Sequence, residues 1–335
     1  MPLAVSIVIP TYNCQRYIAE AIWSALSQKQ TSEVIVIDDG SSDGTADIVR
    51  QIENRIENTQ TKLSTPVQLR YVHQQNQGVS AARNHGIQLA KESLVAFLDA
   101  DDYFLPGKIE RQVAVIEQSP GVGLVQSGWQ KVDDTGKAIA PVTPWQNVPK
   151  LNLENWLHHK PVLPSALMVK RDWLLKVGGF DTQLKAAEDV DLVSRLALAG
   201  CQSAWLEQVA VCYRQRANSA MGDGKVQAED LAKFLQKFFQ QHDLPESVQL
   251  LEQSVRYHTM VWAAWYLQHT GYLAEMAQYL RKAWTYSPYL PIEALVHWVD
   301  SFSKFSEDAA KPLDMSALMQ SEDWQALVTW LMQQN

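Results

Sequence analysis

The stretch 94–102 reads Leu-Val-Ala-Phe-Leu-Asp-Ala-Asp-Asp, a short apolar run that ends abruptly in three carboxylates within four positions. Folding alone gives no reason for such a junction, because clustered acids repel one another and call for a positive partner. The run 95–98 is too short for a core helix and has the composition of a strand buried on both faces, which puts the acids at its C-terminal end. Open α/β sheets bind their ligands at that edge. Asp99 and Asp101 are two apart, so in extended backbone their side chains leave on the same side and can share one hard divalent cation, Mg2+ or Mn2+, through oxygen. The plainer alternative is a polar loop whose acids cap the next helix.

The chain before this junction has the same layout. Residues 5–9 read as a buried strand stopped by Pro10-Thr11-Tyr12-Asn13, and Tyr17, Ile18, Ala21, Ile22, Ala25 and Leu26 then recur at helical spacing. A second strand at 34–37 closes on Asp38-Asp39-Gly40-Ser41-Ser42-Asp43-Gly44-Thr45 and is followed by a helix over 46–56. A polar surface loop is expected at 58–66, then a third strand at 69–73 and a helix over 80–91 that returns to the acid-ended run. Strand and helix units this closely spaced imply parallel strands with right-handed crossovers. The first hundred residues are thus expected to be a doubly wound four-strand unit, with its acid and turn clusters beyond one set of strand ends.

Further on, the pattern predicts a helix at 106–117 and strands at 122–126, 166–169 and 208–213, with helices at 171–177 and 188–200. The segment 133–150 holds Gly136, Pro141, Pro144 and Pro149 and reads as a long excursion rather than a regular element. Its Trp145 and the nearby Trp156 suit either core packing or the face of a sugar. Residues 214–224 form the natural boundary, giving domains at 1–224 and 225–335. After it the apolar residues fall at helical spacing without strand signals. Gly271, Leu280, Ala283 and Pro288 faintly resemble a single tetratricopeptide unit, which cannot bury its own faces, so these helices must pack on the first domain, on each other or on a partner. His258 falls on the apolar stripe and is expected in the core.

Composition narrows the chemistry. With a formal net charge of -8 and no Lys/Arg-rich run, the chain lacks a nucleic-acid surface. No apolar stretch approaches the ~18 residues of a membrane span, and residues 1–4 lack the basic segment of a signal peptide, so a cytoplasmic protein is expected. Cys14, Cys201 and Cys212 are widely spaced and fit reduced thiols. A calcium loop starting at Asp39 fails because Arg50 stands where a bidentate Glu is required. Neither a phosphate-cradling Gly-rich loop with Lys-Ser/Thr nor a dinucleotide Gly-x-Gly-x-x-Gly follows the first strand. What remains is an edge offering an aromatic ring (Tyr12), an acid able to accept a base N–H (Asp39), a guanidinium (Arg83) and the Asp99/Asp101 pair, which together suit a nucleoside diphosphate.

In order and spacing these pieces resemble the inverting, nucleotide-sugar-dependent glycosyltransferases of family 2, which have the GT-A fold. The opening strand through Asn13, the run 38–45, the stretch from Gly78 through Ala82-Arg83-Asn84 to Gly86, Asp99-Ala100-Asp101 and Glu188-Asp189 match five motifs in the family's order, over about residues 4–216. The resemblance implies an α/β GT-A sheet, mostly parallel and flanked by helices, followed by a smaller all-α region. It implies donor-binding positions at Pro10, Thr11, Tyr12, Asp39, Arg83, Asp99, Ala100 and Glu188, with Thr11, Tyr12 and Asp39 at the nucleobase and Arg83 and Asp99 at the ribose and diphosphate. Asp101, with Asp99, would hold the Mn2+ or Mg2+, and Asp189 would be the general base, Glu188 and Asp191 standing in reserve. From the residues alone, Glu188 and Asp189 could equally cap their helix. One position departs: in Tyr213-Arg214-Gln215-Arg216, Arg216 stands where members often have His, and it can contact phosphate but cannot ligate a cation.

The resemblance favours a UDP-sugar as donor and a carbohydrate or lipid-linked hydroxyl as acceptor. A peripheral place at the inner face of a membrane, or a protein partner, through the Trp-rich helical tail is left open by the sequence, since core packing accounts for the same residues. Two other readings stay in view. A sugar-phosphate nucleotidyltransferase would want a Gly-rich basic loop after the first strand, where Pro10-Thr11-Tyr12-Asn13 stands, and a non-catalytic glycosyltransferase-like scaffold would have no use for the acids at 99, 101 and 189.

Overall fold

The computed structural model describes residues 3–59, 67–216, 223–309 and 311–334. The chain divides into two compact units, Met1–Ala217 and Asn218–Asn335. Part of the polar stretch expected as a loop (60–66) and most of the expected boundary segment (217–222) lie outside the described residues.

The first unit opens with β1 (Val5–Thr11), α1 (Ile18–Leu26), β2 (Thr31–Asp38), α2 (Thr45–Thr59), β3 (Gln68–His73), α3 (Val79–Leu89) and β4 (Leu94–Phe97). Their pairing is parallel throughout, in the order β3-β2-β1-β4. Side chains alternate across a strand, so an unbroken apolar run needs cover on both faces. Ile7, Ile9, Val34, Val36, Leu94 and Ala96 pack with Ile18, Ala21 and Ile22 of α1. Val8, Ile35, Ile37, Val95 and Phe97 pack on the opposite face with Ala82 and Ile87 of α3. The strands are therefore two-sided, as their sequences require.

The chain continues through β5 (Tyr103–Phe104), α4 (Lys108–Gln118), β6 (Val122–Val132), β7 (Ala138–Val142), α5 (Leu153–His159), β8 (Leu167–Lys170), α6 (Arg171–Lys176), α7 (Glu188–Leu198) and β9 (Gln202–Arg214). Here the sheet becomes mixed, because β8 is antiparallel to both β4 and β6, whereas β6 runs parallel to β9. Consequently the C-terminal ends of β1, β2, β4, β6 and β9 share one edge. Two expectations change. The segment 133–150 does contain a regular element, since β7 pairs antiparallel with β6; its Pro141 is tolerated because β7 lies off the main path of the sheet. In addition, β6 and β9 run well past the expected 122–126 and 208–213, their polar residues sustained by a long mutual ladder. Trp156 is fully buried in the core, while Trp145 packs edge-on against Trp205.

The second unit is helical: α8 (Gly224–Phe239), α9 (Glu246–Gln249), α10 (Glu252–His269), α11 (Leu273–Trp284), α12 (Pro291–Ala309), α13 (Met315–Gln320) and α14 (Glu322–Leu331). It has its own core, in which Tyr257, Met276, Leu280, Trp298, Phe302, Leu327 and Leu331 meet. The helices bury their apolar faces on one another, and most of the aromatic residues are used there. His258 is exposed rather than buried, its ring bonded to the Ser254 carbonyl one turn back. Among the described residues, no helix is long and apolar enough to cross a membrane. All three cysteines are buried and free.

Candidate active site

The shared strand edge is joined by backbone hydrogen bonds. Asp39 N–H donates to the Thr11 carbonyl at 2.8 Å and Gln74 N–H to that of Asp38 at 2.8 Å, which locks the ends of β1, β2 and β3 together. Pro10 and Thr11 are buried within β1, whereas Tyr12, just beyond it, is 52% exposed and leaves a ring available for stacking. The adjacent acids of β2 divide their work. Asp38 is internal, accepting from Tyr71 Oη at 2.6 Å and Ser41 N–H at 2.8 Å. Asp39 accepts from Gln74 Nε2, Gln77 N–H and Gly78 N–H at 2.8, 2.9 and 2.7 Å. Its carboxylate thus anchors the turn that starts α3, and any base N–H it accepts must share those lone pairs.

The start of α3 fixes Arg83. Three residues on, a Cβ at Gly86 would meet Val8 Cγ1 at 2.2 Å, so only glycine lets α3 lie this close to β1. Asn84 clasps the backbone of Phe180 through both amide atoms, at 2.8 and 2.7 Å. Between these contacts the buried Arg83 guanidinium bridges Asp99 Oδ1 and Glu188 Oε1, each at 2.7 Å, with the Phe180 ring 5.1 Å from its centre. Burial opposes the charge on Arg83, but the two carboxylates prevail and raise its pKa. This bridge joins residues 105 apart in the chain. It supplies the positive partner that the acid cluster demanded.

The three acids after β4 have three separate fates. Asp102 N–H donates to the Asp99 carbonyl at 3.0 Å, so residues 99–102 form a turn, and the extended geometry assumed for Asp99 and Asp101 does not hold. The two still sense each other, since Asp99 raises the Asp101 pKa, although burial is the larger cause. Asp101 pairs with Arg216 at 2.6 Å. Asp102 is fully buried and accepts from Ser165 Oγ at 2.6 Å and Arg214 N–H at 3.0 Å, a structural tie between β4, β8 and β9. The Ala100 side chain packs into the core, which leaves only its backbone for a ligand.

Arg214, Glu20, Tyr17, Asp134 and Ser165 belong to this neighbourhood; none was singled out as a site residue from the sequence, where Tyr17 read as part of a helix stripe and Arg214 only as a neighbour of Arg216. Arg214 donates to the carbonyls of Asp101, Asp133 and Asp134 and to Glu20 Oε2. The Tyr17 ring has the guanidinium carbons of Arg16, Arg214 and Arg216 within 5.2, 4.9 and 5.5 Å, and its hydroxyl donates to Asp134. Each of these guanidinium groups is paired with a carboxylate, Arg16 with Asp134, Arg214 with Glu20 and Arg216 with Asp101, so charge of both signs is interleaved at this edge.

At the first turn of α7, Glu188 is buried against Arg83 and Asp189 stands beside it. Its position at a helix N-terminus would favour an ionised Asp189. Burial outweighs that influence, and with the Glu188 charge it pushes the Asp189 carboxyl up to about 8. Asp191 is used elsewhere, in an ion pair with Arg195 at 2.5 Å. Among the described residues no three His, Cys, Asp or Glu side chains converge to hold a metal ion unaided. Mg2+ does not require this, since it commonly takes one or two carboxylates together with substrate phosphates. The donor set of Asp99 and Asp101 fits that pattern.

Residues 6–175 match the family model described as glycosyl transferase family 2. An uncharacterized glycosyltransferase of Rickettsia typhi, RT0329, is 32% identical over 56% of this chain and 57% of its own length. The chain spans from 27% to 61% of the length of the curated relatives it matches. S. aureus TarS 1-349 in complex with UDP-GlcNAc superposes with a TM-score of 0.61 at 17% identity, over 92% of this chain and 93% of that one. The mannosyltransferase PcManGT from Pyrobaculum calidifontis, in complex with GDP-Man and Mn2+, gives 0.63 at 19% identity, over 99% and 86% of the two chains. Both likenesses bear on the fold, which is that of the GT-A glycosyltransferases.

Proposed function

The chain belongs to glycosyl transferase family 2, and from that premise we propose that it is an inverting transferase that moves a sugar from a nucleoside diphosphate sugar to an acceptor hydroxyl. The observation that supports the reading is the Asp99–Arg83–Glu188 bridge, which joins the turn after β4 to the first turn of α7, where Asp189 follows Glu188. Neighbours of the same fold bind UDP-GlcNAc or GDP-Man, which supports the class of donor, with a UDP-sugar placed first. The acceptor proposed is a carbohydrate or lipid-linked hydroxyl.

In this reading Tyr12 stacks on the nucleobase and Asp39 accepts from its edge while holding the start of α3. Arg83 holds the Asp99 and Glu188 carboxylates in place, so the polar wall of the site does not have to reorganise during the reaction. Asp99 and Asp101 would hold a divalent cation, which would supply Lewis-acid stabilisation to the departing diphosphate. The acceptor hydroxyl attacks the anomeric carbon from the face opposite the leaving group, giving its proton to the Asp189 carboxylate as the bond to the diphosphate oxygen breaks. A base with a pKa near the working pH is well matched to that transfer. Calorimetry of the full chain against a panel of UDP- and GDP-sugars with Mn2+ tests the reading. Saturable binding of one nucleotide sugar, lost in Asp101→Ala, is expected; no binding by any member of the panel would refute it.

A further inference from the structure

We propose that Arg216 is a positioning residue that neutralises Asp101 when no cation is bound and moves onto the donor diphosphate when one takes its place, so that cation and donor bind cooperatively. The proposal rests on the reading of Asp99 and Asp101 as the cation site. It starts from how the guanidinium groups at this edge are used. Arg83 is committed to two buried carboxylates, and Arg214 to three carbonyls and Glu20. Both are fixtures of the fold. Arg216 is engaged differently: one terminal nitrogen pairs with Asp101 Oδ2 at 2.6 Å, while its buried Nε has no partner among the described residues. A planar fork with an idle donor is suited to an oxyanion with several oxygens, as a diphosphate is.

The ion pair also obstructs the proposed cation. A guanidinium 2.6 Å from a carboxylate oxygen occupies the position and cancels the charge that a hard cation would use. Guanidinium and cation therefore compete for Asp101. Arg216 can leave without disturbing the sheet, because the ladder from β6 ends one residue earlier, at Gln215 N–H to the Val132 carbonyl. A diphosphate offers the displaced guanidinium a new anionic partner. By linkage, donor binding then favours cation binding and the reverse by the same factor. Where His at this position would add a ligand to the cation, Arg216 instead makes cation binding conditional on the donor.

Mn2+ binding to the full chain, followed by electron paramagnetic resonance with and without UDP or GDP, tests this. In the absence of nucleotide, Arg216→Gln is expected to bind Mn2+ about tenfold tighter than the wild type, a change of ordinary size for coupled sites. The factor by which nucleotide tightens Mn2+ binding should shrink in the same variant. Arg216→Ala provides an independent repeat. Arg16→Gln removes an equal charge that also lies against Tyr17 but pairs with Asp134, and should leave Mn2+ affinity within about twofold. Mn2+ binding that is unchanged or weaker in Arg216→Gln overturns the competition. Asp101→Asn should abolish Mn2+ binding, and wild-type affinity there would instead remove the cation site on which the proposal stands.

Discussion

At the scale of single residues the site is a set of acids assigned to different tasks by their neighbours. Asp189 illustrates the consequence for pH. Its carboxyl is raised from 3.8 to about 8 in the folded chain, so between those values the native state holds a proton that the unfolded state releases. Stability from this group is therefore lost as pH rises through that window. As the proposed base, in contrast, Asp189 would work only when deprotonated, so kcat/KM for transfer should climb with pH and level off above about 8. Asp189→Asn should leave donor binding nearly intact, lower transfer by about 10²–10⁴-fold and melt at a higher temperature than the wild type at pH 8. A pH profile without that limb, or undiminished turnover in the variant, would require a different base. The acids themselves were legible in the sequence, because an apolar strand ending in carboxylates has few explanations. Their pairing was not: whether Arg83 would meet Glu188, 105 residues away, or Ser165 would meet Asp102, depends on which strands become neighbours, and no local pattern encodes that.

At the scale of elements, α3 and its seat on β1 govern the site's precision. The helix carries Arg83 and is held down where Gly86 faces Val8, so Gly86→Ala forces a contact of 2.2 Å into the core. Overpacking of this kind costs roughly 1–3 kcal/mol, and any relief by lifting the helix displaces Arg83 from its two carboxylates. The expected outcome is a lower melting temperature together with weakened donor binding; a variant that keeps wild-type stability and donor affinity would show that α3 has slack. Gly179 acts similarly on the partner loop, where a φ of +72° and Asn84 Oδ1 at 2.3 Å from a Cβ both exclude larger residues. Arg83→Gln is more damaging, because it strands Asp99 and Glu188 without their shared cation; removing one partner of a buried pair typically costs about 3–5 kcal/mol. Strands β1, β2 and β4 could be read from composition, since burial on both faces demands continuous apolar residues. Neither β7 nor the outer halves of β6 and β9 could be, because their polar residues are held by ladder hydrogen bonds that carry no hydrophobic signature.

At the scale of the whole chain, the two compact units have separate hydrophobic cores. The residues proposed to bind donor and cation, from Tyr12 to Arg216, precede the division after Ala217. A segment of this length is within the usual range for a domain and buries enough surface to fold without help. Residues 1–217 expressed alone should therefore unfold in a single cooperative transition and bind UDP or GDP with Mn2+ as tightly, within about threefold, as the full chain does. Transfer to an acceptor is the property free to change, because acceptor contacts need not lie on the strand edge that holds the donor. If the isolated segment folds yet loses nucleotide binding, the helical unit contributes to the donor site and its role has to be sought there. If donor binding survives and transfer fails, the helices act on the acceptor.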